Sequence, residues 1–145
     1  MPSGGGRGIL VDALWRGFAA DRRIRYAAAL TSMAIRNVEN SPYYKWGAGC
    51  DGWRLLEDPS LDVIQERMPG GTSEVPHLHE RARQLFYVLE GSLEIATSSG
   101  TVAVPEGSAY EVSPGTRHVV RNPSAAHATF LVVSSPSSRG DRIDG

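Results

Sequence analysis

An all-β barrel or sandwich with a short N-terminal helical extension is the fold class that three features of this sequence predict. From Trp53 onward, short runs rich in β-branched and aromatic residues alternate with turn signals, the rhythm of an antiparallel β domain. His77 and His79 stand one residue apart, which in a strand aims both imidazoles at the same face. Upstream of residue 37 the pattern changes to alanine and leucine at helix-compatible spacing.

Residues 1–8, Met-Pro-Ser-Gly-Gly-Gly-Arg-Gly, have little to bury, and a flexible tail is expected. Across residues 9–36, Ala19, Ala20, Ala27, Ala28 and Ala29 with Leu10, Leu14 and Leu30 suit one or two helices, and Asp21 is placed to cap the second. Arg7, Arg16, Arg22, Arg23, Arg25 and Arg36 are set against only Asp12 and Asp21, so any basic patch lies here, and we read it as a solvated helix face. Arg22-Arg23 before the apolar stretch 27–35 has the order of an export signal, but the stretch is short and Arg36 closes it. Met33 lies just upstream of the β region. Residues 1–32 are therefore expected to be an extension dispensable for the fold, with Met33 an alternative start.

Strands are predicted over 53–56, 61–68, 75–79, 84–89, 93–97, 101–104, 109–112, 117–121 and 128–133. Asp58-Pro59, Pro69-Gly70-Gly71, Glu90-Gly91, Ser99-Gly100, Pro105-Glu106-Gly107 and Pro114-Gly115 punctuate them. After Ser134 the Ser/Pro/Arg/Gly/Asp mixture reads as a tail, with local docking of Gly140-Asp141-Arg142 left open. The expected organisation is a tail and helical extension over 1–36, one β-barrel domain over 37–136 and a C-terminal tail over 137–145.

A chain of 145 residues, 41% hydrophobic, suffices for one core and not two. A net charge of −1 gives no overall basic field, so nucleic acid is not the expected partner. Cys50 is the only cysteine, which excludes an intramolecular disulfide and fits a reducing compartment. No apolar run approaches the roughly 20 residues of a spanning helix. A soluble, cytoplasmic protein with no membrane partner is expected.

Gly71, five residues, His77-Leu78-His79, four residues, Gln84, six residues and Gly91 resemble the first signature of the cupin superfamily. Gly107, five residues, Ser113-Pro114-Gly115, two residues, His118, three residues and Asn122 resemble the second. Fifteen residues separate Gly91 from Gly107. Ser113 stands where the family usually has proline, and Gln84 where most similar cupins have glutamate. The segment Tyr43-Tyr44-Lys45-Trp46 through Trp53, with Glu66-Arg67-Met68-Pro69, further resembles a widespread group of small bacterial cupins. The resemblance spans roughly residues 40–142 and implies a double-stranded β-helix, or jelly roll.

It also implies a centre for one divalent transition metal, zinc, iron, nickel or manganese, held by His77, His79, Gln84 and His118. Any one of these histidines alone reads as a hydrogen-bonded or surface side chain; three in register favour the metal. If Gln84 points inward, Phe86 and Val88 share its face, and Val120 and Asn122 share that of His118. Arg67, Phe86 and Tyr110 are the candidate substrate-binding residues. Arg67 suits a carboxylate or phosphate, with a rim salt bridge to Glu66 or Glu74 as the bland alternative. Tyr110 is a candidate general acid. Arg81 and Arg83 read as rim residues, Trp46 and Trp53 as a plug of the barrel end or a cover of the pocket mouth, and Cys50 as a buried hydrophobe.

A neutral Gln84 leaves the dipositive charge of a metal uncompensated, which favours Lewis-acid chemistry on a small polar metabolite: isomerase, cyclase or lyase action. A ferrous dioxygenase and a non-catalytic ligand-binding module are the alternatives. The apolar alternate residues of 85–89 need cover on the outer face, so a homodimer is expected.

Overall fold

In a computed structural model, residues 33–145 are described. The expected glycine-rich tail and most of the helical extension fall on residues 1–32, outside the described residues, and residues 33–36 carry no helix. The described residues from Arg36 onward form one compact unit made of strands.

The strands are β1 (Tyr43–Trp46), β2 (Cys50–Asp58), β3 (Leu61–Met68), β4 (Thr72–Ser73), β5 (His77–His79), β6 (Arg83–Glu90), β7 (Ser92–Thr97), β8 (Gly100–Pro105), β9 (Ala109–Val112), β10 (His118–Asn122), β11 (Ala128–Ser135) and β12 (Arg142–Asp144). Every predicted strand is present. The sequence reading left out β1, β4 and β12, of four, two and three residues, too short to show a periodic pattern. Two six-stranded antiparallel sheets result, one in the order β1-β2-β3-β11-β6-β9 and the other in the order β12-β5-β10-β7-β8 with β4 as its sixth strand beside β10. This is the jelly roll.

Alternation decides which side chains enter the core. On β6, Gln84, Phe86 and Val88 are buried while Arg83, Leu85, Tyr87 and Leu89 are exposed. Phe130 and Val132 on β11, Leu93 and Ile95 on β7 and Val120 on β10 complete the apolar interior, each fully buried side chain being worth roughly 1.5–3 kcal/mol. Phe86 and Phe130 meet with ring centroids 6.4 Å apart.

The signature glycines serve the turns. Gly91 has φ of 81°, and a Cβ there would lie 2.9 Å from the His127 carbonyl oxygen, so only glycine fits between β6 and β7. Asn122, on the buried face of His118 as expected, ties the domain together. Its Nδ2 donates to the Met68 and Ala126 carbonyls at 2.9 and 2.8 Å, and its Oδ1 accepts from Ser124.

Residues 137–145 are not a free tail. Asp141 is buried and accepts from the Arg81 and Ala82 amides at 3.0 and 2.8 Å. The residues after it pair with β5, Arg142 opposite His79 and Asp144 opposite His77.

Candidate metal centre

Strand β5 is short because Pro76 precedes it and the turn at Glu80 follows, yet its three residues place His77 and His79 on one buried face, 2% and 7% exposed. The second sequence signature comes back at the same level. His118 of β10 pairs directly with His77 and is 1% exposed. Gln84 enters from β6 in the opposite sheet and is likewise buried. The four residues thus converge between the sheets.

Two backbone carbonyls fix two of the rings. His77 Nδ1 lies 3.0 Å from the Val75 oxygen and His118 Nδ1 lies 2.9 Å from the Thr116 oxygen. A carbonyl only accepts, so each Nδ1 carries the hydrogen and each Nε2 keeps its lone pair. Burial depresses all three imidazoles, His77 to about 4. They are neutral at neutral pH, the state in which imidazole ligates a metal.

Four buried polar atoms here lack any hydrogen-bond partner: His118 Nε2, His79 Nδ1, Gln84 Oε1 and Glu74 Oε2. Gln84 turns its Nε2 toward the Ser134 hydroxyl at 3.2 Å, which leaves its carbonyl oxygen to the cluster. An unpaired buried acceptor costs about 1–3 kcal/mol, and a cation satisfies several at once. The ring centroids lie 4.4 Å (His77 to His118), 5.2 Å (His77 to His79) and 6.3 Å (His79 to His118) apart. Among the described residues, the donor atoms that lie within 4.8 Å of one another are those of Glu74, His77 and His118, a group able to hold a metal ion, and His79 stands outside it.

Glu74 was missed as a site residue by sequence reasoning. Its ligand atom lies within 4.8 Å of those of His77 and His118, and the three form a group able to hold a metal ion. It also stands behind His77, Oε2 at 3.7 Å from Nδ1, and its amide donates to the Val120 carbonyl at 2.9 Å. Burial raises its carboxyl to about 7.

Glu74, His77, His79 and Gln84 line one wall of a cavity of about 340 Å³, and His118 lies behind that wall, a volume in the range of small-molecule sites. Phe86 lines it, as expected, its ring 5.9 Å from that of His118. Arg67 does not: it is exposed on the other face of β3, and parity puts Glu66 in the cavity wall. Burial, then the charge of Glu74, raises Glu66 to about 8, while Tyr44 donates its hydroxyl to Glu66 at 2.8 Å. Tyr110 packs against the core from β9 and is not among the residues lining the cavity. The two tryptophans separate: Trp46 lines the cavity and packs against the core, and Trp53 meets Tyr43 at a tilt of 43°, centroids 5.7 Å apart. Arg81 pairs with Asp141 and Arg83 with Glu111, both with solvent-exposed side chains that do not line the cavity. Cys50 is buried, and burial pushes its thiol up.

Comparison with known proteins accords with this geometry. The family model described as Cupin domain matches residues 63–134, the stretch from β3 to β11 that carries all four predicted ligands. No curated protein sequence matches. Among solved structures, an RmlC-like cupin from Shewanella frigidimarina is similar at 21% identity and a TM-score of 0.65, over 74% of this chain and 93% of that one. The polyketide cyclase RemF from Streptomyces resistomycificus is similar at 20% and 0.67, over 77% and 84%. A sugar phosphate isomerase of the cupin superfamily from Silicibacter pomeroyi is similar at 20% and 0.60, over 72% and 76%. Two interrupted histidine signatures meeting across β5 and β10, within a jelly roll whose strands β3 to β11 the family model matches, place this chain in the cupin superfamily.

Proposed function

We propose that this protein is a metal-dependent enzyme acting on a small polar metabolite, with reaction chemistry of the isomerase, cyclase or lyase type. The observation that carries the reading is a cavity wall on which three buried polar atoms, of His79, Gln84 and Glu74, have no hydrogen-bond partner and two carboxyls, Glu66 and Glu74, have raised pKa values. His77, His79 and His118, with the Gln84 carbonyl oxygen, would hold the ion. A divalent metal so held supplies Lewis-acid polarisation of a bound carbonyl or hydroxyl.

The chain's own groups supply the rest. Glu66, near 8, keeps its proton at neutral pH and has it to donate; Glu74, near 7, is divided between its two forms and suits proton exchange with substrate. Tyr44 holds one Glu66 oxygen and so orients the other. Phe86, Ile64 and Val132 form an apolar wall that keeps bulk water from the reacting end. Both an isomerase and a cyclase occur among the similar structures, which supports non-redox chemistry without selecting a substrate. The working form we propose is a cytoplasmic homodimer, supported by the exposure of Leu85, Tyr87 and Leu89 on the outer sheet face.

Elemental analysis of the protein as purified, beside His79→Ala, tests this. Near-stoichiometric metal that is lost in the variant supports the centre. Iron with oxygen consumption on turnover would move the reading to a dioxygenase. Absence of metal in both proteins after reconstitution would leave a ligand-binding module.

A further inference from the structure

Three arginines line the cavity, and they are not equivalent. Arg54 Nε lies 3.2 Å from Glu57 Oε1 and Arg139 donates to Glu57 Oε2 at 3.1 Å, so one carboxylate occupies both. Arg142 differs. It sits on β12 directly opposite His79, and residues opposite one another in an antiparallel pair share a face. Among the described residues the only hydrogen-bonded partner of its side chain is Asp144, reached through Nε at 2.6 Å. The two terminal nitrogens of its guanidinium thus present a free edge beside the histidines.

A guanidinium edge of this kind matches the paired oxygens of a carboxylate or phosphate. We propose that Arg142 binds the oxyanion of the substrate, and that the cavity takes a small hydroxylated acid, carboxylate or phosphate monoester, whose hydroxyl or carbonyl end faces the histidines. The anion site stands on the placement of Arg142 alone; the role of the other end rests on the metal-dependent reading above. The surroundings favour an anion further. Asp144 offsets the charge of Arg142, while Arg54 and Arg139 share the single carboxylate of Glu57, which leaves one net positive charge at the rim.

Isothermal titration of the protein as purified, with gluconate, sorbitol 6-phosphate and neutral sorbitol as probes, tests the assignment and separates its two oxyanion sources. Measurable binding of at least one anion is expected, with sorbitol at least about tenfold weaker. Arg142→Gln should lose about tenfold or more for that anion, Arg142→Lys should recover part of it, and Arg83→Gln, outside the cavity lining, should match the native protein. Equal affinity in native and Arg142→Gln protein, sorbitol binding as tightly as the anions, or no binding of either anion would overturn the proposal. Metal content measured on the same samples reads the histidine centre separately. Arg142-dependent binding without metal would remove the reaction and leave the anion site standing.

Discussion

Between pH 6.5 and 8 the folded protein holds a proton on Glu66 that the unfolded chain has already released, because burial raises this carboxyl from 4.5 to about 8. The native state then binds more protons than the unfolded one, so stability falls as pH rises through that window. His77 acts at the other end: lowered from 6.5 to about 4, it stays neutral while the unfolded chain takes up a proton, and stability falls as pH drops from 6.5. Urea unfolding of the metal-free protein should therefore show a decline from pH 6.5 to 8 that Glu66→Gln flattens; an equal decline in the variant would count against the assignment. The histidines, Gln84 and Phe86 were legible in the sequence because the signature spacing and strand parity both fix their face. Glu66 was not separated from Arg67, since both are charged and either face of β3 brings one to the barrel. Met68, fully buried on the same strand, settles that parity in favour of Glu66.

At the scale of elements, the long amphipathic strands were readable and the short polar ones were not. Arg-Ile-Asp of β12 has the composition of a tail, and what makes it a strand is tertiary: Asp141 satisfies the Arg81 and Ala82 amides, and β5 offers an unpaired edge. Asp141→Ala should leave those amides without their acceptor and cost about 1–3 kcal/mol, read as a lower urea midpoint, with loss of amide protection concentrated in β12 and β5. Unchanged protection in β12 would show that strand pairing alone holds it. β6 raises the opposite question, since its inner alternation builds the pocket while Leu85, Tyr87 and Leu89 remain 38–41% exposed. Light scattering is expected to report a dimer, and Tyr87→Lys to shift it toward monomer; a native monomer would remove the inference.

Across the whole molecule, the site draws on both sheets, so a bound metal links them. Loading the centre at about a hundredfold excess over its dissociation constant should add about 2.7 kcal/mol to stability by mass action. Chelation should lower the melting temperature of the native protein and leave that of His118→Ala unchanged. The fold was legible as a whole because nine strands announce themselves by alternation and turn residues; the substrate end was not, because the residues lining the far wall come from β1, β2 and the segment after β11, which carry no signature. The pairing of His77 with His118 has one more consequence. A nascent chain that has emerged from the ribosome only as far as Val112 lacks His118, so a metal held between His77 and His118 would be captured only after the second half of the barrel arrives and β5 and β10 close on each other.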